Sequence, residues 1–108
     1  MAYEVKLLDI AEKDIDEICQ YLSQFYPGTS GRFLNALEKD LENASHNPNM
    51  FPKYEYNKEY RKMVTNDFLT FYKIDEENNR VCIYRILHGK RDISTIIKKL
   101  HNGNPTRN

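Results

Sequence analysis

The sequence is poor in the features that mark several classes of protein. It has only two cysteines, Cys19 and Cys82, which form no CxxC pair and have no histidine nearby, so a disulfide scaffold and a zinc site are both excluded. Tryptophan is missing, and no apolar run is long enough for a membrane span or a signal peptide. We therefore expect a soluble, cytoplasmic protein that does not contact a membrane.

Motifs for several common chemistries are also missing. The sequence has no GxGxxG stretch, no phosphate-binding loop, no GxSxG and no HExxH, which leaves nucleotide binding, serine hydrolysis and zinc proteolysis without support. Its three histidines, His46, His88 and His101, are not spaced like metal ligands. We expect neither a metal nor a cofactor.

The chain does have a high aromatic content and an uneven charge. Aromatic residues make up 12% of the 108 residues, too many for a disordered chain. The net charge is zero, but residues 1–50 carry four Lys and Arg against nine Asp and Glu, while residues 51–108 carry twelve against seven. The second half is suited to an anionic or acidic partner, although an ordinary solvated surface shows the same division.

Residue periodicity predicts the first three elements. Residues 3–7 alternate between apolar and charged, as in a strand with one face on a core. A helix follows, with Asp9 as its cap and Glu12 completing a capping box, and it is stopped by Pro27-Gly28. Its apolar stripe is formed by Ala11, Ile15, Ile18, Leu22 and Phe25, with Lys13, Asp14, Asp16 and Glu17 between them.

A second helix is expected to start at a cap formed by Thr29 or Ser30 and to end at Asn47-Pro48. Its apolar stripe is formed by Phe33, Leu37, Leu41 and Ala44. Because only a short connection separates the two helices, they should form an antiparallel hairpin. With one stripe each, they can cover one face of a sheet.

Three strands are predicted at residues 59–64, 68–74 and 80–87, as an antiparallel meander whose middle strand is apolar on both faces. A short helix capped by Asp92 or Ser94 follows. The order predicts an α+β fold: an N-terminal strand, an antiparallel helical hairpin packed on a four-stranded, mainly antiparallel sheet, and a short C-terminal helix. We expect one domain at residues 1–100 and a polar tail at residues 101–108. The first strand can pair in either direction.

Positive charge is concentrated around the end of the third meander strand and the start of the first. The residues concerned are Arg61, Lys62, Arg85, His88, Lys90 and Arg91. If Arg61 and Arg91 approach each other across the sheet, the fold has a basic site suited to phosphates or carboxylates. The alternative is a set of solvated strand ends with one arginine–aspartate pair, through Asp92, and the residue types do not decide between the two.

Several stretches between Tyr3 and about Leu100 resemble the RelE/ParE superfamily, the toxins of bacterial type II toxin–antitoxin modules, also called plasmid stabilisation proteins. Residues 11–18 are similar to the family's A-x-x-D-L-x-x-I helix. Further similar stretches are Arg32-Phe33 with Leu37, Asn47-Pro48, Tyr60-Arg61-Lys62, Phe71-Tyr72-x-Ile74-Asp75 and residues 86–92, which run Ile-Leu-His-Gly-Lys-Arg-Asp. No single stretch is specific, but their order along nearly the whole chain supports the resemblance.

The resemblance implies two helices on a small antiparallel sheet, which agrees with the fold derived above. It also implies a cognate antitoxin, with which the toxin forms a hetero-oligomer and which has a segment that folds onto the toxin. We expect this segment to contact Phe68, Phe71, Tyr72, Ile97 and Leu100, unless these residues simply form the core.

The resemblance leaves two targets, because the superfamily is divided by mechanism. Ribosome-dependent members cut mRNA with the 2′-hydroxyl of the RNA as nucleophile, which needs cations around the scissile phosphate and a group that moves a proton. Carried over by position, the candidate catalytic residues would be Arg61, His88 and Arg91. Where that branch has an arginine and a tyrosine, however, this chain has Leu69 and Ile97.

We therefore favour the ParE branch, whose members act on DNA gyrase and have no established nuclease residues. The toxin would then be a binding protein and not an enzyme, and the six residues of the positive cluster would bind the target. One alternative is a RelE-like mRNA endonuclease that acts on the translating ribosome. The other is a non-toxic relative that only binds its antitoxin.

Overall fold

Four strands and three helices follow one another in the predicted order in a computed structural model, which describes residues 2–91 and 93–103. The elements are β1 (Glu4–Leu7), α1 (Asp9–Leu22), α2 (Thr29–His46), β2 (Arg61–Thr65), β3 (Phe68–Asp75), β4 (Arg80–His88) and α3 (Ile93–Gly103). The predicted α+β fold is confirmed. In the described part of the chain, no helix has the length and apolar character needed to cross a membrane.

The sheet has the strand order β1-β4-β3-β2 and is mixed. β2, β3 and β4 form the predicted antiparallel meander, whereas β1 runs parallel to β4. This settles the direction of β1, which the sequence left open. β1 pairs only with residues 80–83, so among the described residues no strand lies beside the outer edge of residues 84–88.

β3 is buried on both faces, as its apolar sequence predicted. Phe68 and Tyr72 belong to the core beneath α1 and α2, whereas Phe71 packs on the opposite face with Leu87 and with Ile97 of α3. The helical hairpin and α3 therefore cover opposite faces of the sheet.

A β-bulge in β4 changes which side chains face the helices. Phe71 lies opposite Arg85 and Tyr72 lies opposite Ile83, so one extra residue of β4 is inserted between these pairs. Beyond the bulge the alternation is shifted by one, and Ile86 packs with the hairpin core. The guanidinium of Arg85, which lies next to the bulge, reaches α1 at the open edge of β4.

The start of α1 differs from the prediction. Leu8 precedes the helix and no side chain caps it, so the capping box of Asp9 and Glu12 is wrong. Both acidic residues instead lie in the first turn, where their charge complements the positive end of the helix dipole. Phe25, predicted to extend the apolar stripe, lies beyond the end of α1 and is 55% exposed.

The ends of the other two helices also differ. α2 is preceded by Gly28 in the left-handed region, at φ 83°, so neither Thr29 nor Ser30 is its cap. Asp92, one of the two caps predicted for α3, lies outside the described residues. α3 continues to Gly103, so residues 101–103 belong to the helix and not to the predicted tail.

Two buried threonines provide a test of this core. The hydroxyl of Thr70 is fully buried and has no hydrogen-bond partner among the described residues, whereas the Thr65 hydroxyl donates to Oδ2 of Asp40 at 2.5 Å. We expect Thr70→Val to raise the free energy of unfolding by about 1 kcal/mol, because it removes an unsatisfied buried polar group.

The matched control, Thr65→Val, should lower the free energy of unfolding by about 1 kcal/mol, because it leaves the Asp40 carboxylate without its donor. Urea unfolding of the two variants measures both values. A loss of stability in Thr70→Val would contradict the prediction.

Candidate functional site

A side chain of α1, instead of a strand, closes the open edge of β4. Asp14 is 6% exposed, and its Oδ2 atom accepts a hydrogen bond of 3.0 Å from the backbone N–H of Ile86. The same carboxylate accepts two hydrogen bonds from the Arg85 guanidinium, from Nε at 2.7 Å and from Nη2 at 2.9 Å. We call Asp14, Arg85 and Ile86 the α1–β4 clasp.

The α1–β4 clasp is largely buried, so its hydrogen bonds contribute to the stability of the fold. The side chains of Arg85 and Asp14 are only 14% and 7% exposed, so both charges have lost most of their water. The bidentate contact and the Ile86 N–H compensate for this loss. Removing one partner of such a pair typically costs about 3–5 kcal/mol, because the other charge stays buried. Arg85, which we expected to bind the target, is therefore committed to Asp14.

Arg61 is also engaged within the fold. Its Nη1 atom donates to the carbonyl oxygen of Phe51 at 2.7 Å, and its Nη2 atom donates to Oδ1 of Asn49 at 3.0 Å. The hydroxyl of Tyr72 donates to the carbonyl oxygen of Pro48 at 2.7 Å in the same segment. Arg61 and Tyr72 together hold the chain that leads into β2.

The strand register separates Arg61 from Arg91. Arg61 lies opposite Tyr72, whereas His88, the last residue of β4, lies opposite Phe68. The two positions are four residues apart along β3, about 13 Å at the usual rise of a strand. Arg91 lies three residues beyond His88, so the strand register does not bring Arg61 and Arg91 together, which was the condition for a shared basic site.

The turn at residues 88–91, which we call the basic turn, carries two exposed cations. The backbone N–H of Gly89 donates to the carbonyl oxygen of Asp67 at 2.9 Å, and a Cβ at this position would lie 3.4 Å from that oxygen, which favours glycine. Lys90 and Arg91 are exposed. No carboxylate of the described residues forms an ion pair with either side chain.

His88 is a fixed part of the basic turn. Its Nδ1 atom accepts a hydrogen bond of 3.1 Å from the backbone N–H of Lys90. The ring lies edge-on to Phe68, with 5.3 Å between the ring centroids. The backbone N–H of Arg91 donates to the His88 carbonyl oxygen at 3.0 Å. His88 therefore fixes the backbone of the two residues that carry the cations.

An open groove of about 360 Å³ runs between α1 and the free edge of β4, and we call it the apolar groove. Its floor is formed by Ile18, Phe68, Ile86 and Leu87. Its two rims differ in charge, because Glu17 lines the side of α1 and the cations of the basic turn line the other side. The groove therefore has an apolar floor, a negative charge on one side and positive charges on the other.

A second groove lies on the other face of the sheet, beside the loop before β2 and the start of α3, and we call it the aromatic groove. Its lining includes Tyr54, Tyr56, Lys62, Leu69 and Arg91. The Nζ atom of Lys62 lies 3.9 Å from Oε1 of Glu55 and 6.0 Å from the centre of the Tyr54 ring. Arg91 lines both grooves.

The two residues that depart from the nuclease pattern lie in different surroundings. Leu69 lines the aromatic groove, and Ile97 is 1% exposed in the core beneath α3. Burial, with smaller contributions from Tyr84 and Glu59, raises the pKa of Tyr60 to about 12, so this phenol stays protonated at neutral pH and cannot act as a base. The described residues include no group of three or more side chains placed to hold a metal ion.

The residues expected to contact an antitoxin are mostly internal. Phe71 and Tyr72 are 0% exposed and Ile97 is 1% exposed, so a partner could reach them only if the core opened. Phe68 is 5% exposed but lines the apolar groove. The side chain of Leu100 lies outside the described residues.

Sequence reasoning missed Asp14, which it placed among the polar residues between the apolar positions of α1. A signal was present in the spacing. Asp14 follows Ala11 by three residues and precedes Ile18 by four, and residues at these intervals share one face of a helix. Ala11 and Ile18 are both buried. A carboxylate on this face needs a cation from elsewhere in the chain, and Arg85 supplies it.

The chain is similar to known toxins of type II toxin–antitoxin systems. A family model described as the ParE toxin of the type II toxin–antitoxin system, parDE, matches residues 5–93. No curated protein sequence matches the chain. A chain of the toxin–antitoxin complex RelBE2 from Mycobacterium tuberculosis is 21% identical, with a TM-score of 0.62, and the match covers 82% of this chain and 92% of that chain.

Two further solved structures show the same fold. A chain of the chromosomal ParDE system from P. aeruginosa is 14% identical, with a TM-score of 0.67, and the match covers 81% of this chain and 96% of that chain. An arginine-to-alanine double mutant of the E. coli toxin RelE in the free state is also 14% identical, with a TM-score of 0.64 and coverage of 93% and 99%. At these identities the likeness is one of fold.

The α1–β4 clasp predicts a large difference between neighbouring acidic residues. Asp14→Ala should lower the free energy of unfolding by about 3 kcal/mol, because it leaves the Arg85 guanidinium and the Ile86 N–H buried without their acceptor. Asp16→Ala, on the exposed side of α1, should change it by less than about 0.5 kcal/mol. Chemical denaturation of both variants measures the difference, and equal effects would show that the clasp is not stabilising.

Proposed function

The chain belongs to the ParE toxin family of type II toxin–antitoxin systems, and from this we propose that it arrests bacterial growth by binding DNA gyrase in the cytoplasm and is neutralised by a cognate antitoxin. On this proposal the toxin acts through surface contacts and not through catalysis of its own. The basic turn is the contact surface, with Lys62 in the adjoining groove.

The observation that carries this proposal is that some cations are hydrogen-bonded within the fold, whereas others are exposed. Arg61 and Arg85 donate their hydrogen bonds within the fold, whereas Lys90 and Arg91 are exposed and have no carboxylate partner among the described residues. Exposed cations without internal partners can pair with an acidic surface without first breaking a contact. The surface is thus suited to binding an acidic protein.

The apolar character of Leu69 and Ile97 supports binding over RNA cleavage. Cleavage requires several cations around one phosphate and a positioned group that moves a proton. Of the three candidate catalytic residues, Arg61 is distant from the basic turn along β3, and His88 has its Nδ1 atom occupied by the Lys90 N–H. Arg61 is therefore not placed to act on one phosphate together with Arg91, which counts against cleavage.

An mRNA endonuclease is the second candidate, and one observation favours it. Lys62 and Arg91 line the aromatic groove together with Tyr54 and Tyr56. Cations beside aromatic rings are typical of grooves that bind single-stranded RNA, in which bases stack on the rings. Cleavage of mRNA during expression would identify this activity, and absence of any growth effect would indicate a relative that only binds its antitoxin.

The gyrase proposal predicts that removal of both exposed cations abolishes toxicity. In bacteria induced to express the toxin without antitoxin, Lys90→Ala/Arg91→Ala should remove the growth arrest and the DNA-damage response that the unmodified toxin induces. Binding to purified DNA gyrase should weaken at least about tenfold, since charged contacts at such surfaces are worth about 1.4 kcal/mol or more.

The matched control is Lys98→Ala/Lys99→Ala, which removes the same charge from exposed positions of α3. It should retain toxicity and gyrase binding, because net charge is not the cause of the effect. Full toxicity of the Lys90→Ala/Arg91→Ala variant would contradict the assignment of this surface. Rapid mRNA cleavage by the unmodified toxin, with no DNA-damage response, would contradict the choice of gyrase.

A further inference from the structure

We propose that the apolar groove is the interface of a homodimer, in which a second copy of this chain places its α1 rim against the basic turn of the first. Each copy makes and receives the same contacts, as in a dimer with two-fold symmetry. The inference goes beyond the proposed function and does not depend on the target, because every contact that it uses lies between two copies of the same chain.

The first argument is that the groove and the end of α1 leave a continuous apolar surface uncovered. Tyr21 lines the groove and is 51% exposed, and Phe25, four residues further along the chain, is 55% exposed. Their rings are in edge contact, with 5.1 Å between the centroids. The apolar surface therefore continues from the floor of the groove to the end of α1, and a contiguous surface of this kind is typical of a protein interface.

The second argument is that the charges on the two rims have no partner within the described residues. Glu17 is exposed on the α1 rim, and Lys90 and Arg91 are exposed on the opposite rim. No ion pair of the described residues includes any of these three side chains. The two rims line the same groove without pairing with each other, so their charges remain available to a second molecule.

The third argument is that the charges of the rims fix the direction of the two-fold axis. When the axis runs along the groove, the rotation brings Glu17 of each copy opposite Lys90 and Arg91 of the other. When the axis crosses the groove at a right angle, each rim meets the same rim of its partner, and like charges face each other. One groove thus contains both halves of a self-complementary contact, which a two-fold interface requires.

The exposed aromatic rings provide the projecting part of this interface. A rotation about an axis along the groove leaves positions along that axis unchanged, so Tyr21 and Phe25 of both copies lie at the same end of the dimer. There the rings of one copy pack against those of the other and against the end of its groove. We therefore expect an apolar centre with one cluster of ion pairs on each side, the usual arrangement of a protein interface.

The test measures the molar mass of the full-length toxin, purified without antitoxin, by sedimentation equilibrium up to about 100 µM, a concentration at which an interface of micromolar Kd is populated. The unmodified toxin should dimerise. Glu17→Arg and, separately, Lys90→Glu/Arg91→Glu should each weaken dimerisation at least about tenfold, because like charges then meet on both sides of the axis. Circular dichroism checks that each variant is folded.

The matched controls make the same changes in net charge outside the groove. They are Glu38→Arg on α2 and Lys98→Glu/Lys99→Glu on α3, all at exposed positions that do not line the groove, and both should leave dimerisation unchanged. For the apolar part, Tyr21→Ser/Phe25→Ser should weaken dimerisation, whereas Met50→Ser/Val64→Ser, which removes side chains of matched exposure, 51% and 58%, should not.

A mixture of the two charge reversals distinguishes this arrangement from any other dimer. Neither Glu17→Arg nor Lys90→Glu/Arg91→Glu should dimerise well alone, but an equimolar mixture should form a heterodimer, because both of its rim contacts then join opposite charges. A toxin that stays monomeric over the whole range would overturn the inference, and so would a dimer that tolerates the reversals or folded variants that do not associate when mixed. Binding of the toxin to gyrase bears only on the proposed function.

Discussion

The Asp14 carboxylate supplies a hydrogen-bond acceptor at the edge of β4, beyond the point where the short β1 strand ends. Beyond residue 83 no strand pairs with the outer edge of β4 in the described structure, and a buried backbone N–H without an acceptor is costly. Asp14 accepts the N–H of Ile86 and at the same time the guanidinium of Arg85, which neutralises the carboxylate in its buried position. The α1–β4 clasp thereby joins the helical hairpin to the strand that ends in the basic turn, and the placement of the turn depends on it.

The cations of this protein fall into two groups according to what surrounds them. Arg61 and Arg85 have planar groups that donate several hydrogen bonds in fixed directions, which suits them to brace the loop before β2 and the edge of β4. Lys90 and Arg91 stay in water, where they contribute little to the stability of the fold and remain available to a partner. The positive residues that form one cluster in the sequence thus divide into two that are bonded within the fold and two that are exposed to solvent.

Parts of the fold and the site could be predicted because they depend on short-range patterns. The apolar sequence of β3 indicated burial on both faces, and the cations after the third meander strand indicated positive charge at that end of the sheet. The ion pair of Arg85 with Asp14 could not be predicted, because it depends on how α1 packs against the edge of β4. The capping of α1 was misassigned because Asp9 fits a cap by residue type, while the chain enters the helix one residue earlier.

The sequence by itself determined the elements, their order, the family and the presence of a basic turn, because periodicity, turn residues and local motifs act over a few residues. Tertiary structure alone decided the parallel pairing of β1, the separation of Arg61 from Arg91 and the burial of Asp14. Asp14 and Arg85 are 71 residues apart in the chain, and they meet only because α1 crosses the edge of a sheet whose register is set elsewhere. Contacts of this kind depend on how whole elements pack, which no pattern within one element can specify.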